Sequence, residues 1–192
     1  MKITTRLAGA FAIVAAFALP AQAAPETFTM EPQHTFPSFE IMHLGFSMQR
    51  GMFEKTAGKL VLDLAARTGS VEVVIDASSL NTGFKLRDDN LRGERFFKVA
   101  EFPTINFKSN TLRFDGDKPV AADGELTLLG KTHPVSLKVE RMHCGTDPLT
   151  KRYICGADLT TSIKKSQWGM TAFGAALGDD VKLLISVEAI RN

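Results

Sequence analysis

Several kinds of chemistry are missing from this sequence. No G-x-S-x-G turn is present to expose an activated serine. No GxxxxGK or G-x-G-x-x-G loop is present to cradle a phosphate, and "GKTHP" resembles neither. No second CxxC or HxxxH completes a metal-ligand set. Polar-tipped aromatics are nearly absent, with one tryptophan and one tyrosine against fourteen phenylalanines. Past Leu19 no stretch is apolar for the ~20 residues that a helical membrane span needs. These absences weaken the hydrolase, nucleotide-binding, metalloprotein and integral-membrane readings, and they leave phenylalanine as the conspicuous resource.

The N-terminus reads as a leader. Lys2 and Arg6 form a short positive region, Leu7 to Leu19 an apolar one, and Ala21 and Ala23 a small-x-small cleavage pattern. Residues 1–23 are therefore expected to be a signal peptide and 24–192 one domain of 169 residues, ample for a sizeable core. Without Lys2 and Arg6 the 23 basic residues fall to 21, equal to the 21 acidic ones. A neutral chain without a basic stripe argues against nucleic acid as a partner. Export also bears on Cys144 and Cys155 in "HCGTDPLTKRYIC". Oxidising surroundings favour a disulfide, and the turn-rich "GTDPLTK" would fold the two onto facing strands. The rival is metal ligation by Cys144, Cys155 and His143.

Strand signals dominate the rest. "GKLVLDLAA" sets Leu60, Leu62 and Leu64 against Lys59, Val61 and Asp63, and "SVEVVID" sets Val71, Val73 and Ile75 against Glu72 and Asp76. "PVSLKVER" and "DVKLLISVEAI" alternate likewise through Val135, Leu137 and Val139, and through Val181, Leu183, Ile185, Val187 and Ala189. One apolar and one polar face per strand is the mark of antiparallel sheet with one side in water. Short turns at "ARTGS", "FDGDKP" and "LGKTH" separate them, so eight or more strands form one sandwich or barrel. Helix is scarce. Residues 82–92 are the best candidate, capped by Asn81 or Thr82, ended by Gly93, and carrying pairs Lys85–Asp89 and Asp88–Arg92 four residues apart. Phe84 and Leu91 share its other face.

The remaining candidate groups do not converge by spacing. Ser162 and Ser166 could serve as nucleophiles only if a histidine or acid met them in space. His34 and His43, nine apart, would face opposite sides of one unbroken strand, and are expected to be partly buried and hydrogen-bonded. His133 and His143 share a side but would lie some 34 Å apart. Twelve phenylalanines remain after residue 23. They suit either a solid sandwich core or the lining of a barrel hollow enough for a ligand.

Four stretches in order then carry a resemblance. "HTFPSFEIMHLGFSMQRGMFEKTAGKLVLD", "SLNTGFKLRDDNLRGERFFKVAEFPTINFKS", "GELTLLGKTHPVSL", and "KKSQWGM" with "GDDVKLLISVEA" are similar to the YceI family of periplasmic lipid- or polyisoprenoid-binding proteins. Gln167 stands where many relatives carry an acid, and Lys165 where they often carry arginine. The resemblance implies an all-β fold, an elongated antiparallel lipocalin-like barrel with one or two short helices at the rim. It implies non-catalytic binding of a long isoprenoid or fatty chain in the periplasm, with no metal and no cofactor besides that lipid. On this footing the pocket takes Phe53, Leu60, Leu62, Ile105, Phe107 and Leu126 from strand parity. Phe39, Leu44, Phe46, Leu128, Trp168 and Phe173 join them for their apolar, mostly aromatic character. Phe84, Arg87, Asp88, Leu91 and Arg92 form the rim helix. A chain of some forty carbons, at ~0.3 kcal/mol per atom, would bind with ~12 kcal/mol. Transient contact with a membrane or membrane protein, and a monomer or homodimer, fit this reading. Two rivals stand beside it: a packed, ligand-free module partnering a membrane redox protein, and a lipid hydrolase using Ser166 with His43 or Asp88.

Overall fold

A computed structural model describes residues 24–192; the expected signal peptide, 1–23, lies outside the described residues. In chain order the elements are β1 (Glu26–Met30), β2 (Phe36–His43), β3 (Ser47–Phe53), β4 (Thr56–Asp63), β5 (Thr68–Asp76), β6 (Leu80–Asn81), α1 (Lys85–Arg92), β7 (Thr104–Asp115), β8 (Lys118–Leu128), β9 (Lys131–Thr146), β10 (Tyr153–Lys164) and β11 (Asp180–Arg191). Every pairing between them is antiparallel, and β1 meets both β4 and β11, so the sheet closes on itself.

The closed sheet is an eight-position barrel because three positions are each built from two segments. β1 and β2 both pair with β11 and are separated at 31–35. There the fully buried Thr35 hydroxyl donates to the Glu188 carbonyl and accepts from the Glu188 N–H, both at 3.2 Å. A side chain thus replaces the ladder bonds that the interrupted backbone cannot make. β3 and β4 are split at Glu54–Lys55, and β5 and β6 by the turn Ala77–Ser79. Asp76 caps that turn by accepting the Ser78 N–H at 2.8 Å. The result is the expected lipocalin-like barrel.

The alternation read from sequence places the faces as expected. Val71, Val73 and Ile75 of β5, Val135, Leu137 and Val139 of β9, and the five apolar odd positions of β11 all face the interior. The barrel has two ends. One carries the β4–β5, β7–β8 and β9–β10 turns and is packed by Phe28, Met30, Leu62, Cys155 and Ala189. Here Cys144 and Cys155, directly opposite in β9 and β10, form a disulfide. A loop of this length gives about 3 kcal/mol in the chain-entropy picture. With both thiols consumed, the metal alternative for this pair falls away.

At the other end lies α1, which departs from expectation. It begins at Lys85 rather than Thr82, because Gly83 turns the chain at φ +77° and Phe84 occupies the cap position without a side-chain bond. Thr82 instead donates its N–H to Asp88 at 2.9 Å, and its hydroxyl to the same oxygen at 2.5 Å. Asp88 is thereby buried and does not pair with Arg92. Arg92 reaches away from the helix to the carbonyls of Ser78 and Leu80. Lys85 and Asp89 do pair, at 2.6 Å, and Gly93 ends the helix in extended rather than left-handed backbone. Most of these charges fasten the helix to the barrel rather than solvating it.

Candidate functional site: an apolar lumen open at one end

The interior holds a cavity of about 970 Å³. It runs from Met30, Cys155 and Ala189 near the packed end up to Leu44, Phe84, Leu86 and Phe173, which stand half-exposed around the mouth. Its walls are mainly aliphatic, with Val71, Val73, Leu112, Leu159, Ile163, Leu183 and Ile185 among them.

The lumen is open because its large rings lie along the wall. Phe39 is paired with Gly51 across β2 and β3, and a Cβ built on that glycine would stand 2.5 Å from the Phe39 ring. Phe107 uses Gly124 of β8 in the same way, at 2.7 Å. Each glycine faces inward, so a ring folds across it where a side chain would otherwise project. Ala122 and Ala157 supply further small inward positions. A second ring cluster, Phe39–Phe53–Phe97, braces the wall beneath α1 with centroids 5.5 to 6.5 Å apart.

Nine of the twelve expected pocket residues line this cavity: Phe39, Leu44, Phe53, Leu60, Ile105, Phe107, Leu126, Leu128 and Phe173. Three do not. Phe46 sits at the tip of the β2–β3 turn, 86 % exposed. Leu62 has the right parity but is packed into the closed end with Phe28 and Met30. Trp168 is 1 % exposed and lies outside the lumen, at the split where β9 and β10 stop pairing above Lys138 and Thr160. Of the rim residues, Phe84, Arg87 and Leu91 line the mouth, while Asp88 and Arg92 act as tethers. His34 is hydrogen-bonded as expected, to Glu31 at 2.7 Å, but it is exposed in the β1–β2 break, and His43 is exposed at the rim, so the partial burial expected of both is not found. The hydrolase constellation is not assembled: Ser166 donates its hydroxyl to Asp179 at 2.7 Å, and Asp88 is taken by Thr82.

Charged groups in the lining are few and of one sign. Among the described residues the side chains of Arg87, Arg95 and Lys165 reach the cavity, and no aspartate or glutamate does. Arg50 touches the lining but turns its guanidinium outward to Glu40, at 2.6 Å. Arg87 spends its donors on Thr82 and on Gln49. Arg95 lies over the Phe173 ring at 4.3 Å. One buried hydroxyl, Thr56 Oγ1, has no partner. The loop after β10 is clasped by Ser166, whose hydroxyl and N–H both bind Asp179. The hydroxyl first and the N–H second hold that carboxyl below its usual range against burial, helped by the charges of Lys165 and Lys164. Sequence reasoning missed most of the aliphatic wall and Lys165, although parity along β10, from Leu159 through Ile163, points to both.

A closed antiparallel barrel around an apolar, one-ended lumen belongs to the lipocalin-like class of barrels. Within that class the chain belongs to the YceI-like family, whose domain matches residues 28–189. It is 34 % identical to Protein YceI of Salmonella arizonae over 173 residues, covering 90 % of each chain. Among solved structures, BcnA of Burkholderia cenocepacia superposes with a TM-score of 0.71 at 20 % identity, over 83 % of this chain and 98 % of the other. A polyisoprenoid binding domain from Saccharophagus degradans, implicated in plant cell wall breakdown, superposes at 0.61 with 16 % identity, over 86 % and 98 %.

Proposed function

We propose that this protein is a non-catalytic carrier that takes up one long apolar chain, of polyisoprenoid or fatty type, outside the cytoplasm. The observation that carries this reading is the apolar lumen of about 970 Å³. It is at the upper end of small-molecule pockets, and a packed interaction module has no use for such a space. Family membership and the binding named for the Saccharophagus domain support it, as does the expected leader. At ~30 Å³ per methylene, close to the liquid volume of a water molecule, the lumen takes about 30 carbons. At ~0.3 kcal/mol per atom that gives about 9 kcal/mol, a sub-micromolar complex. A forty-carbon chain would leave its last carbons at the mouth. The test is extraction of the protein, purified from its own periplasm, with organic solvent. Mass spectrometry should find about one long-chain lipid per protein; protein that yields none overturns the carrier.

The mouth supports a second element of the same reading, transient docking on a membrane. The β2–β3 tip is a type I′ turn, with Leu44 at φ +53°, Gly45 at +76° and the Phe46 N–H bonded to the His43 carbonyl at 2.9 Å. Such positions favour Asn or Gly, and an exposed leucine there gains nothing for folding. Phe173, half-exposed across the mouth, is also left-handed, at φ +62°. Together with Phe46 and Leu86 they ring the opening with side chains suited to a lipid surface. The protein should co-sediment with phosphatidylcholine vesicles, and Phe46→Glu with Leu86→Glu should cut this at least about tenfold, since burying each such side chain is worth ~1.5–3 kcal/mol. Equal sedimentation of wild type and double variant overturns docking by this surface.

A further inference from the structure

Residues 24–192 are balanced in charge, yet the charged side chains that reach the lumen are cations, Arg87, Arg95 and Lys165, with no acid in the lining among the described residues. Lys165 is the unusual one. It continues the inward parity of Leu159 and Ile163 beyond the end of β10, and it is 5 % exposed. An ammonium has three donors, and lysine is almost never this buried unless paired. Here one donor goes to the Met170 carbonyl at 3.2 Å. The nearby carboxylates are engaged elsewhere, Asp179 by Ser166 and Asp180 by Lys164 at 2.9 Å. No carboxylate stands at ion-pair distance from the ammonium: Asp179 is near enough for the two charges to influence each other but is held by Ser166. Two of the three donors are left for a further partner, an arrangement that costs stability unless one is supplied.

We infer that the lipid carried in this lumen is an anionic amphiphile, a carboxylate- or phosphate-headed chain whose oxyanion is received by Lys165 at the mouth end of β10. The inference rests on the carrier reading and narrows its ligand class. The tail fills the aliphatic lumen, and the head meets the buried ammonium that has no direct ion-pair partner. Arg95, held over Phe173 at the same mouth, adds to the positive field that an anion would meet on entry. A charge-assisted hydrogen bond made where water is excluded should favour the anion by about 10- to 100-fold.

The test compares three ligands with one tail: hexadecanol, palmitate and hexadecyl phosphate, titrated into delipidated wild type and Lys165→Met. In the wild type both anions should bind at least about tenfold more tightly than the alcohol. In Lys165→Met the advantage of the anions over the alcohol should disappear, while an unaltered circular-dichroism spectrum and cooperative unfolding show that the barrel is intact. Equal affinities in the wild type overturn the inference and leave the carrier standing. Binding of none of the three overturns both. A preference that survives Lys165→Met overturns the role of Lys165. Inorganic phosphate alone is the final arm: if it saturates the protein as tightly as hexadecyl phosphate, the seat is a free-anion site and the lipid assignment fails.

Discussion

Trp168→Ala should lower the stability of the barrel by about 3–5 kcal/mol, a drop in Tm on the order of 10 °C for a domain of this size. The chain's one tryptophan sits where β9 and β10 part, with its ring edge-on to His133 at 5.0 Å and its Nε1–H donated to the Leu126 carbonyl at 3.1 Å. His133 in turn bonds the Gln167 carbonyl at 3.1 Å. The indole thus closes a gap in the wall that the strand ladder leaves open. Its removal creates a cavity that neighbouring backbone cannot collapse into, because β8 is held by β7 on its other side. Trp168→Phe separates the two contributions. It keeps most of the packing but takes away the indole donor that adds to the Leu126 carbonyl's strand bonding, so a loss of about 1 kcal/mol is expected. Thermal unfolding followed by circular dichroism measures both. Because Trp168 does not line the lumen, lipid affinity well below the transition should be unchanged; a loss of affinity larger than about threefold would place the indole in the ligand's path.

The contrast between wall and lumen also explains what could be read from the sequence. Alternation settled the facing of β5, β9 and β11, because one face packs against apolar neighbours and the other meets water along the whole strand. Turn residues marked the hairpins, and the cysteines marked the β9–β10 end. Parity could not tell how far along the barrel a residue sits. Leu60 and Leu62 share a face, yet one lines the lumen and the other belongs to the plug, since only the closed ends of β1 and β11 decide where packing stops. Aromatic character misled for Phe46 and Trp168, whose positions depend on a turn tip and on a split between strands far apart in sequence. Hollowness was the least legible feature. It depends on the Phe39 and Phe107 rings lying across Gly51 and Gly124, and those pairings exist only once the strands are in register. The displaced start of α1 has a local cause instead: the Asp88 carboxylate captures Thr82, the residue that was to cap the helix.

Phe107→Asp tests the lumen itself. Phe107 is 6 % exposed, stands opposite Leu126 in β8 and beside Val73 in β5, and folds its ring over Gly124. A carboxylate here has apolar neighbours on both flanking strands. In a solid core such a change would unfold the protein. In this barrel the space is continuous with the mouth, so water can enter and solvate the charge while the lumen is unoccupied. The cost then falls on binding, because a lipid tail must expel that water from an unpaired carboxylate, a penalty of several kcal/mol. The expected result is a folded protein whose affinity for a sixteen-carbon chain is lower by at least about 100-fold, some 3 kcal/mol. Phe107→Ala, which only widens the lumen, should stay within about tenfold of wild type, tying the loss to charge rather than shape. Protonation should restore binding: a neutral carboxyl is cheaper to bury, so affinity of the Asp variant rises as pH falls toward the ordinary carboxyl range near ~4. Hexadecanol, which does not itself titrate, is the ligand for that measurement. If the Asp variant binds it as wild type does at neutral pH, the tail does not pass Phe107 and the lumen is not its seat.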